Sequence, residues 1–279
     1  MKPPIVYFGG KITLADQLIR LMPSHHHYVE PYCGSLAVLL AKPPVPHETV
    51  NDLDRDLITF WRVLRDQPEQ LERACSLTPH ARAEHEDSYE PTDDPLEKAR
   101  RVWVQLTQGR AAVRTRTGWR YYVDPGGTTS GMADYLRGYV QRMPPAVERL
   151  MHVSLECRPA LDVIADYGRH PDVCLYVDPP YLKSTRSPGA YVCEMGDPAD
   201  HTDLAEALKG CKASVVLSGY PSPLYDGLYD GWQRVEMATA TGQGGEWSDR
   251  VEVAWINRAA DPDLLDLLAA HEEVPACVS

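Results

Sequence analysis

Asp178-Pro179-Pro180-Tyr181 follows directly on the apolar run Cys174-Leu175-Tyr176-Val177. A short β-rich run that stops at an acid and two prolines predicts a buried strand with an abrupt end. The prolines exclude helix and, lacking an N–H, leave backbone carbonyls outside any ladder. A carboxylate, free carbonyl oxygens and an aromatic face then share the carboxyl end of a strand, where open α/β sheets bind ligands. That set suits a poor nucleophile such as the exocyclic amine of adenine, whose lone pair is delocalised into the ring. The Asp178 carboxylate and the Pro179 carbonyl would accept from its two hydrogens, draw the nitrogen toward tetrahedral geometry and aim its lone pair at an incoming methyl group. Tyr181 would stack on the base. Positioning and electrostatics carry such a reaction. No displaced general base is required, because the proton can leave after positive charge has formed. An ordinary strand-end turn reads the same way, so the tetrapeptide acquires meaning only from the elements around it.

Near the amino terminus, Tyr7-Phe8-Gly9-Gly10-Lys11 precedes a stretch in which Leu14, Leu18, Ile19 and Leu21 share one helical face. Residues 28–30 predict a short buried strand, 31–35 a turn, 36–42 a helix and 49–52 the next strand. Strand, glycine turn, helix, strand and acid form the skeleton of a nucleotide-binding β-α-β unit. Asp52, closing the second strand, would reach ribose hydroxyls. Gly34 stands without the further glycines that cradle a pyrophosphate. That favours a cofactor with an adenosine but no phosphates, S-adenosylmethionine rather than NAD or ATP.

From residue 57 to about 150 the pattern is helical, clearest at 96–108, and 110–131 adds basic residues, Tyr121-Tyr122 and a Pro-Gly-Gly turn. This stretch reads as a smaller inserted domain with a mobile loop. Strand signals resume at 152–155, 174–177, 214–218, 234–237 and 251–256, with helices at 160–167 and 198–208. Residues 242–249 are glycine-rich and read as a loop, and the tail after Asn257 as one weak helix. The expected fold is α/β, a mostly parallel, doubly wound Rossmann-like sheet whose last two strands form a hairpin. Residues 1–55 and 151–279 would be the catalytic domain, and 56–150 an inserted helical domain.

With 279 residues, 43% hydrophobic and 24% charged, the chain has room for one large α/β domain or a domain with an insertion. It carries no stretch of membrane-spanning length and no signal pattern. Seven cysteines without a Cys-x-x-Cys pair suggest neither a disulfide framework nor zinc, but reduced thiols in a cytoplasm. His25-His26-His27 reads as a loop before a strand rather than as metal ligands. A net charge of −12 disfavours polyanions overall, since phosphate neutralisation needs clustered cations. Yet Lys98, Arg100, Arg101, Arg110, Arg114, Arg116 and Arg120 occur with no acid among them. They are either a solvated helix balanced by the acids before it or a basic face for a polyanion.

Four pieces in order carry a resemblance: Tyr7-x-Gly9-Gly10-Lys11, the stretch Tyr28-Val29-Glu30-Pro31-Tyr32-x-Gly34-Ser35, Asn51-Asp52 with Leu57-Ile58, and Tyr176-Val177-Asp178-Pro179-Pro180-Tyr181. From Tyr7 to about Asn257 the chain resembles the Dam-type DNA adenine methyltransferases, including orphan bacteriophage and prophage members. The resemblance implies an S-adenosylmethionine-dependent enzyme that methylates the N6 amino group of adenine in double-stranded DNA at a specific site. Tyr7, Lys11, Glu30, Tyr32, Gly34, Asp52 and Asp178 would bind the cofactor. Asp178, Pro179 and Tyr181 would hold the base, which must be flipped out of the duplex. The insertion would recognise DNA, most directly through Arg110, Arg114, Arg116 and Arg120. A restriction endonuclease partner is compatible with the resemblance; a metal or membrane is not part of it. The chain departs from the family at Pro159, where an acid lining the cofactor's adenine pocket is expected, with Asp162, Glu156 or a backbone group as substitutes. Asp200-His201 and Ser218-Gly219-Tyr220 also recur in phage members, as element caps or as shapers of the pocket. Cytosine-N4 methylation, RNA adenine methylation and a catalytically idle DNA-binding module are the competing readings.

Overall fold

A computed structural model describes residues 1–123, 131–182, 191–243 and 246–258, with backbone alone at 238–243 and 246–250. Its centre is a seven-stranded sheet of order β3-β2-β1-β4-β5-β7-β6. The strands are β1 (His27–Glu30), β2 (His47–Asn51), β3 (Val153–Glu156), β4 (Val173–Val177), β5 (Ser214–Gly219), β6 (Gln233–Gln243) and β7 (Glu246–Ile256). Strands β1 to β5 pair in parallel, while β7 runs antiparallel to both β5 and β6. Strand order reverses between β1 and β4, so the loops leaving their carboxyl ends diverge and open a cleft.

Parity along the strands assigns two cores. Tyr28, Val50, Tyr176, Val216, Ala254 and Ile256 face one side, with α1 (Ala15–Arg20), α2 (Ala37–Ala41) and the helices of the insertion. Val29, Leu175, Val177, Val215, Leu217, Val253 and Trp255 face the other. There they pack against α9 (Ala160–Tyr167), α10 (Pro198–Lys209) and α11 (Pro223–Leu228). Alternation of this kind buries both faces of a parallel sheet, as the near-continuous apolar strands require.

The insertion holds α3 (Arg55–Asp66), α4 (Pro68–Leu77), α5 (Arg82–Asp87), α6 (Pro95–Gln108), α7 (Met132–Val140) and α8 (Met143–Leu150). Asp54 starts α3 by accepting from the N–H groups of Asp56 and Leu57, and Asp94 caps α6 in the same way through Leu96. Phe60, Trp61, Val102 and Trp103 join Tyr28, Val50 and Tyr176 in one cluster, so the helices share the core of the sheet.

The expected helices at 160–167 and 198–208 are α9 and α10, and the last strand pair is antiparallel as anticipated. The glycine-rich stretch expected as a loop is not one where it is described. The β6–β7 ladder runs through it, with Gly242 opposite Trp247 and Gln243 opposite Glu246, because a tight hairpin needs few residues outside the ladder. The Pro-Gly-Gly turn at 125–127 and the tail from residue 259 lie outside the described residues.

Candidate active site

The loop after β1 turns sharply at Gly34, whose φ of +45° suits glycine and whose missing Cβ would sit 3.2 Å from the Tyr7 ring. Leu36, also left-handed, then enters α2. This turn, the loop 7–11, the end of β2 and the start of α9 enclose a cleft of about 260 Å³ at the β1–β4 reversal. Tyr7, Lys11, Glu30, Tyr32, Gly34, Asp52 and Asp178 all line it, as the sequence leads one to expect of a cofactor site.

Asp52 Oδ2 accepts from the N–H of Gly34 at 3.1 Å and Oδ1 from the N–H of Asp54 at 2.9 Å. Burial outweighs these two bonds and pushes its carboxyl up to about 6. Glu30 is buried deeper, with Oε1 taking the Tyr28 hydroxyl at 2.7 Å and the Leu39 N–H at 2.8 Å, and burial pushes it up to about 8. Among the described residues, Asp52, Asp54, Asp178, Glu194, Asp200 and Asp203 line the cleft against one cation, Lys11. Phosphates would be repelled there, whereas a group carrying positive charge suits the acids. Beside the end of β2 the wall is Pro159, Ala160 and Leu161. Neither Asp162 nor Glu156 replaces the missing acid; Glu156 instead accepts from Arg158 and from the Tyr167 hydroxyl.

Asp178 leaves β4 with its side chain 19% exposed, and both oxygens are engaged. Lys11 Nζ donates to Oδ2 at 2.8 Å and to the Gly9 carbonyl at 2.7 Å. Ser218 Oγ donates to Oδ1 at 2.9 Å, and the Tyr181 hydroxyl lies 3.0 Å from the same oxygen. The Tyr176 hydroxyl braces Ser218 at 3.0 Å. Two acidic neighbours push Lys11 well above the usual lysine range despite its burial. Among the described residues no hydrogen bond reaches the Pro179 carbonyl. Tyr181 is 5% exposed, pinned through its hydroxyl, edge-on to Tyr220 and with Lys11 5.0 Å over its ring.

Sequence reasoning missed Glu252 on β7, 4% exposed, which accepts from the Tyr181 hydroxyl and lies 3.6 Å from Lys11 Nζ. A signal existed: Glu252 shares strand parity with the buried Ala254 and Ile256. Ser218, left open between cap and pocket shaper, touches the acid directly. Asp200 lines the cleft, while His201 is buried between the Met195 carbonyl and the Tyr225 hydroxyl.

The basic segment divides. Lys98, Arg100 and Arg101 pair with Asp56, Glu84 and Glu97, as a charge-balanced helix would. Residues 108–120 form a hairpin closed by Arg110 N–H to Gly118 O and Arg120 N–H to Gln108 O, with Arg110 and Arg116 exposed. Arg120 is half-buried over the Tyr135 ring. Arg114 departs from the expected DNA-contacting role: its side chain is 8% exposed and spent on Asp54 and Asp56, each at 3.0 Å. Beside the hairpin, His80 stacks on Trp119 and Trp119 on Tyr121, with Arg82 over both rings.

Among the described residues no helix is long and apolar enough to cross a membrane, and no group of acids, cysteines and histidines is set to hold a metal. Of solved structures, a methyltransferase from Geobacter sulfurreducens is similar at 13% identity, covering 92% of this chain and 81% of that one with a TM-score of 0.38. The rRNA methyltransferase aviRa from Streptomyces viridochromogenes is similar at 14% identity over 92% and 87%, with a TM-score of 0.35. The Type II methyltransferase M1.LlaDCHI of Lactococcus lactis subsp. cremoris is 24% identical over 280 residues, 92% of this chain and 94% of that protein. Residues 7–241 match the family described as D12 class N6 adenine-specific DNA methyltransferase. The chain belongs to that family and is an S-adenosylmethionine-dependent DNA adenine-N6 methyltransferase.

Proposed function

We propose that Asp178, Pro179 and Tyr181 form the catalytic centre, and that Tyr7, Lys11, Glu30, Tyr32, Gly34, Asp52 and Asp178 shape the cofactor site. When bound, S-adenosylmethionine supplies an electrophilic methyl group. Asp52 orients the ribose through the lone pairs left by the N–H groups of Gly34 and Asp54. The Asp178 carboxylate and the Pro179 carbonyl accept the two amine hydrogens and raise electron density on nitrogen. Ser218 and Tyr176 hold the carboxylate in the orientation this needs. Tyr181 stands beside the acid, with its hydroxyl 3.0 Å from Oδ1 and bonded to Glu252. The observation that carries this reading is the carboxylate at the mouth of an acid-lined cleft beside an unbonded peptide oxygen. The carboxylate favours adenine over cytosine-N4 methylation, since enzymes of the latter kind more often have serine at that position.

A base within a duplex cannot enter such a cleft, so the target adenine flips out. Residues 56–150 act as the target-recognition insertion on the catalytic body of 1–55 and 151–279. Arg110, Arg116 and Arg120 meet the phosphates, while Arg114 fixes the hairpin to α3. The enzyme works in the cytoplasm, with a restriction endonuclease recognising the same DNA site as its partner. Methyl transfer to unmethylated duplex, followed with tritiated cofactor, tests the centre. Asp178→Ala should abolish label incorporation with secondary structure retained by circular dichroism; substantial residual transfer would move the acceptor role elsewhere.

A further inference from the structure

Lys11 holds Oδ2 of Asp178 and Ser218 holds Oδ1, with the Tyr181 hydroxyl 3.0 Å from the same oxygen, so most of the carboxylate's acceptor positions are taken before an amine arrives. Two of those partners have an alternative. Lys11 Nζ lies between Asp178 Oδ2 at 2.8 Å and Glu252 Oε1 at 3.6 Å, and the single hydroxyl proton of Tyr181 lies between Asp178 Oδ1 and Glu252 Oε1. Asp178 lines the cleft, whereas Glu252 does not and is 4% exposed. A buried acid reaching the same ammonium and the same hydroxyl as the acid in the cleft forms a second seat for both.

We propose that Glu252 is a positioning residue that holds the Tyr181 hydroxyl and takes over Lys11 when the target amine arrives, freeing Asp178 Oδ2 to accept from the amine. The proposal rests on the reading of Asp178 as the amine acceptor. Charge favours the exchange: two carboxylates and one ammonium leave one net negative charge, which matches the positive charge developing on nitrogen. Handover moves the ammonium by less than the 3.6 Å now separating it from Glu252. The titratable and charged groups facing Glu252 are Lys11, Asp178, Tyr181 and Tyr176. Burial raises the Glu252 carboxyl above the ordinary glutamate range against the pull of Lys11. As pH falls, Glu252 takes up its proton, can no longer hold Lys11, and methyl transfer declines with it.

Single-turnover methyl transfer to unmethylated duplex at saturating cofactor tests this across pH. Glu252→Gln keeps the shape and a partner for Tyr181 but not the charge. The expected result is a rate lower by on the order of a hundredfold and loss of the acid limb of the wild-type profile. Affinity for S-adenosylhomocysteine, read by calorimetry, should stay within about twofold. Glu252→Asp should restore an acid limb at a displaced pH, and it decides the matter if Glu252→Gln does not fold. A Glu252→Gln enzyme with the wild-type profile, whether or not its rate falls, would overturn the handover, as would a Glu252→Asp profile superimposable on wild type. Asp178→Ala separates the two readings. An active Asp178→Ala enzyme would remove the acceptor role itself, whereas a dead one beside an unaffected Glu252→Gln would remove only the handover.

Discussion

Asp52 and Glu30 both line the cleft as carboxyls whose burial outweighs their hydrogen bonds, and they differ in partners: Asp52 accepts from two backbone N–H groups, Glu30 from the Tyr28 hydroxyl and the Leu39 N–H. Asp52 titrates near 6 without cofactor. Ribose hydroxyls donate best to its ionised form, so binding should draw the proton off. Calorimetry in buffers of different ionisation enthalpy should therefore detect proton release on S-adenosylhomocysteine binding near pH 6, and affinity should weaken as pH falls below that value. Asp52→Asn should bind more weakly and lose this dependence. Glu30 is raised from 4.5 to about 8, so the folded form keeps a proton that the unfolded chain gives up. Its stabilising contribution is complete below the unfolded value and lost as pH rises through the folded one. Glu30→Gln preserves an oxygen for both the Tyr28 hydroxyl and the Leu39 N–H. The variant should gain stability relative to wild type between pH 6 and pH 9, measured by urea midpoints at the two values.

At the scale of elements, the 108–120 hairpin is tied to the cleft twice. Ala112 O accepts from Phe8 N–H at 2.8 Å, in the loop that carries Lys11. Arg114 bridges to Asp54 and Asp56 at the start of α3, and Asp54 N–H in turn holds Asp52. Arg114→Ala would leave Asp54, 5% exposed, without its counter-ion. Breaking a buried pair from one side costs about 3 kcal/mol, so chemical unfolding should register that loss. The hairpin base also stores strain, because Ala111 and Ala112 have φ of +63° and +55°. Ala111→Gly should stabilise the protein by about 1 kcal/mol, the ordinary penalty for an L-residue in that region.

Over the whole molecule, a net charge of −12 coexists with DNA as substrate because the cations that matter are local. Arg116 is 66% exposed, 3.7 Å from the equally exposed Glu90, and Arg110 is exposed over the Tyr121 ring. Such surface pairs are weak enough to yield to phosphate. Substituting Arg110 and Arg116 together by alanine should flatten the dependence of log affinity on log salt by about 2, one for each phosphate no longer neutralised. Filter binding of duplex DNA over a salt series measures it, and an unaltered slope would place the neutralising cations elsewhere.

The strands and helices that build the cleft were legible because alternation and strand-end punctuation are local properties, and Lys11, Asp52 and Asp178 were legible because each abuts such a boundary. Glu252 and Ser218 were not assigned to the centre. They meet Asp178 and Lys11 only once β5 and β7 lie beside β4, a pairing between segments far apart in the chain. Arg114 was misjudged for the same reason: a run of arginines gives the charge of a segment, but not which of its members the fold turns inward to meet Asp54. Local sequence determined which residues could do the chemistry; long-range packing decided which of them stand together, and in what ionic state.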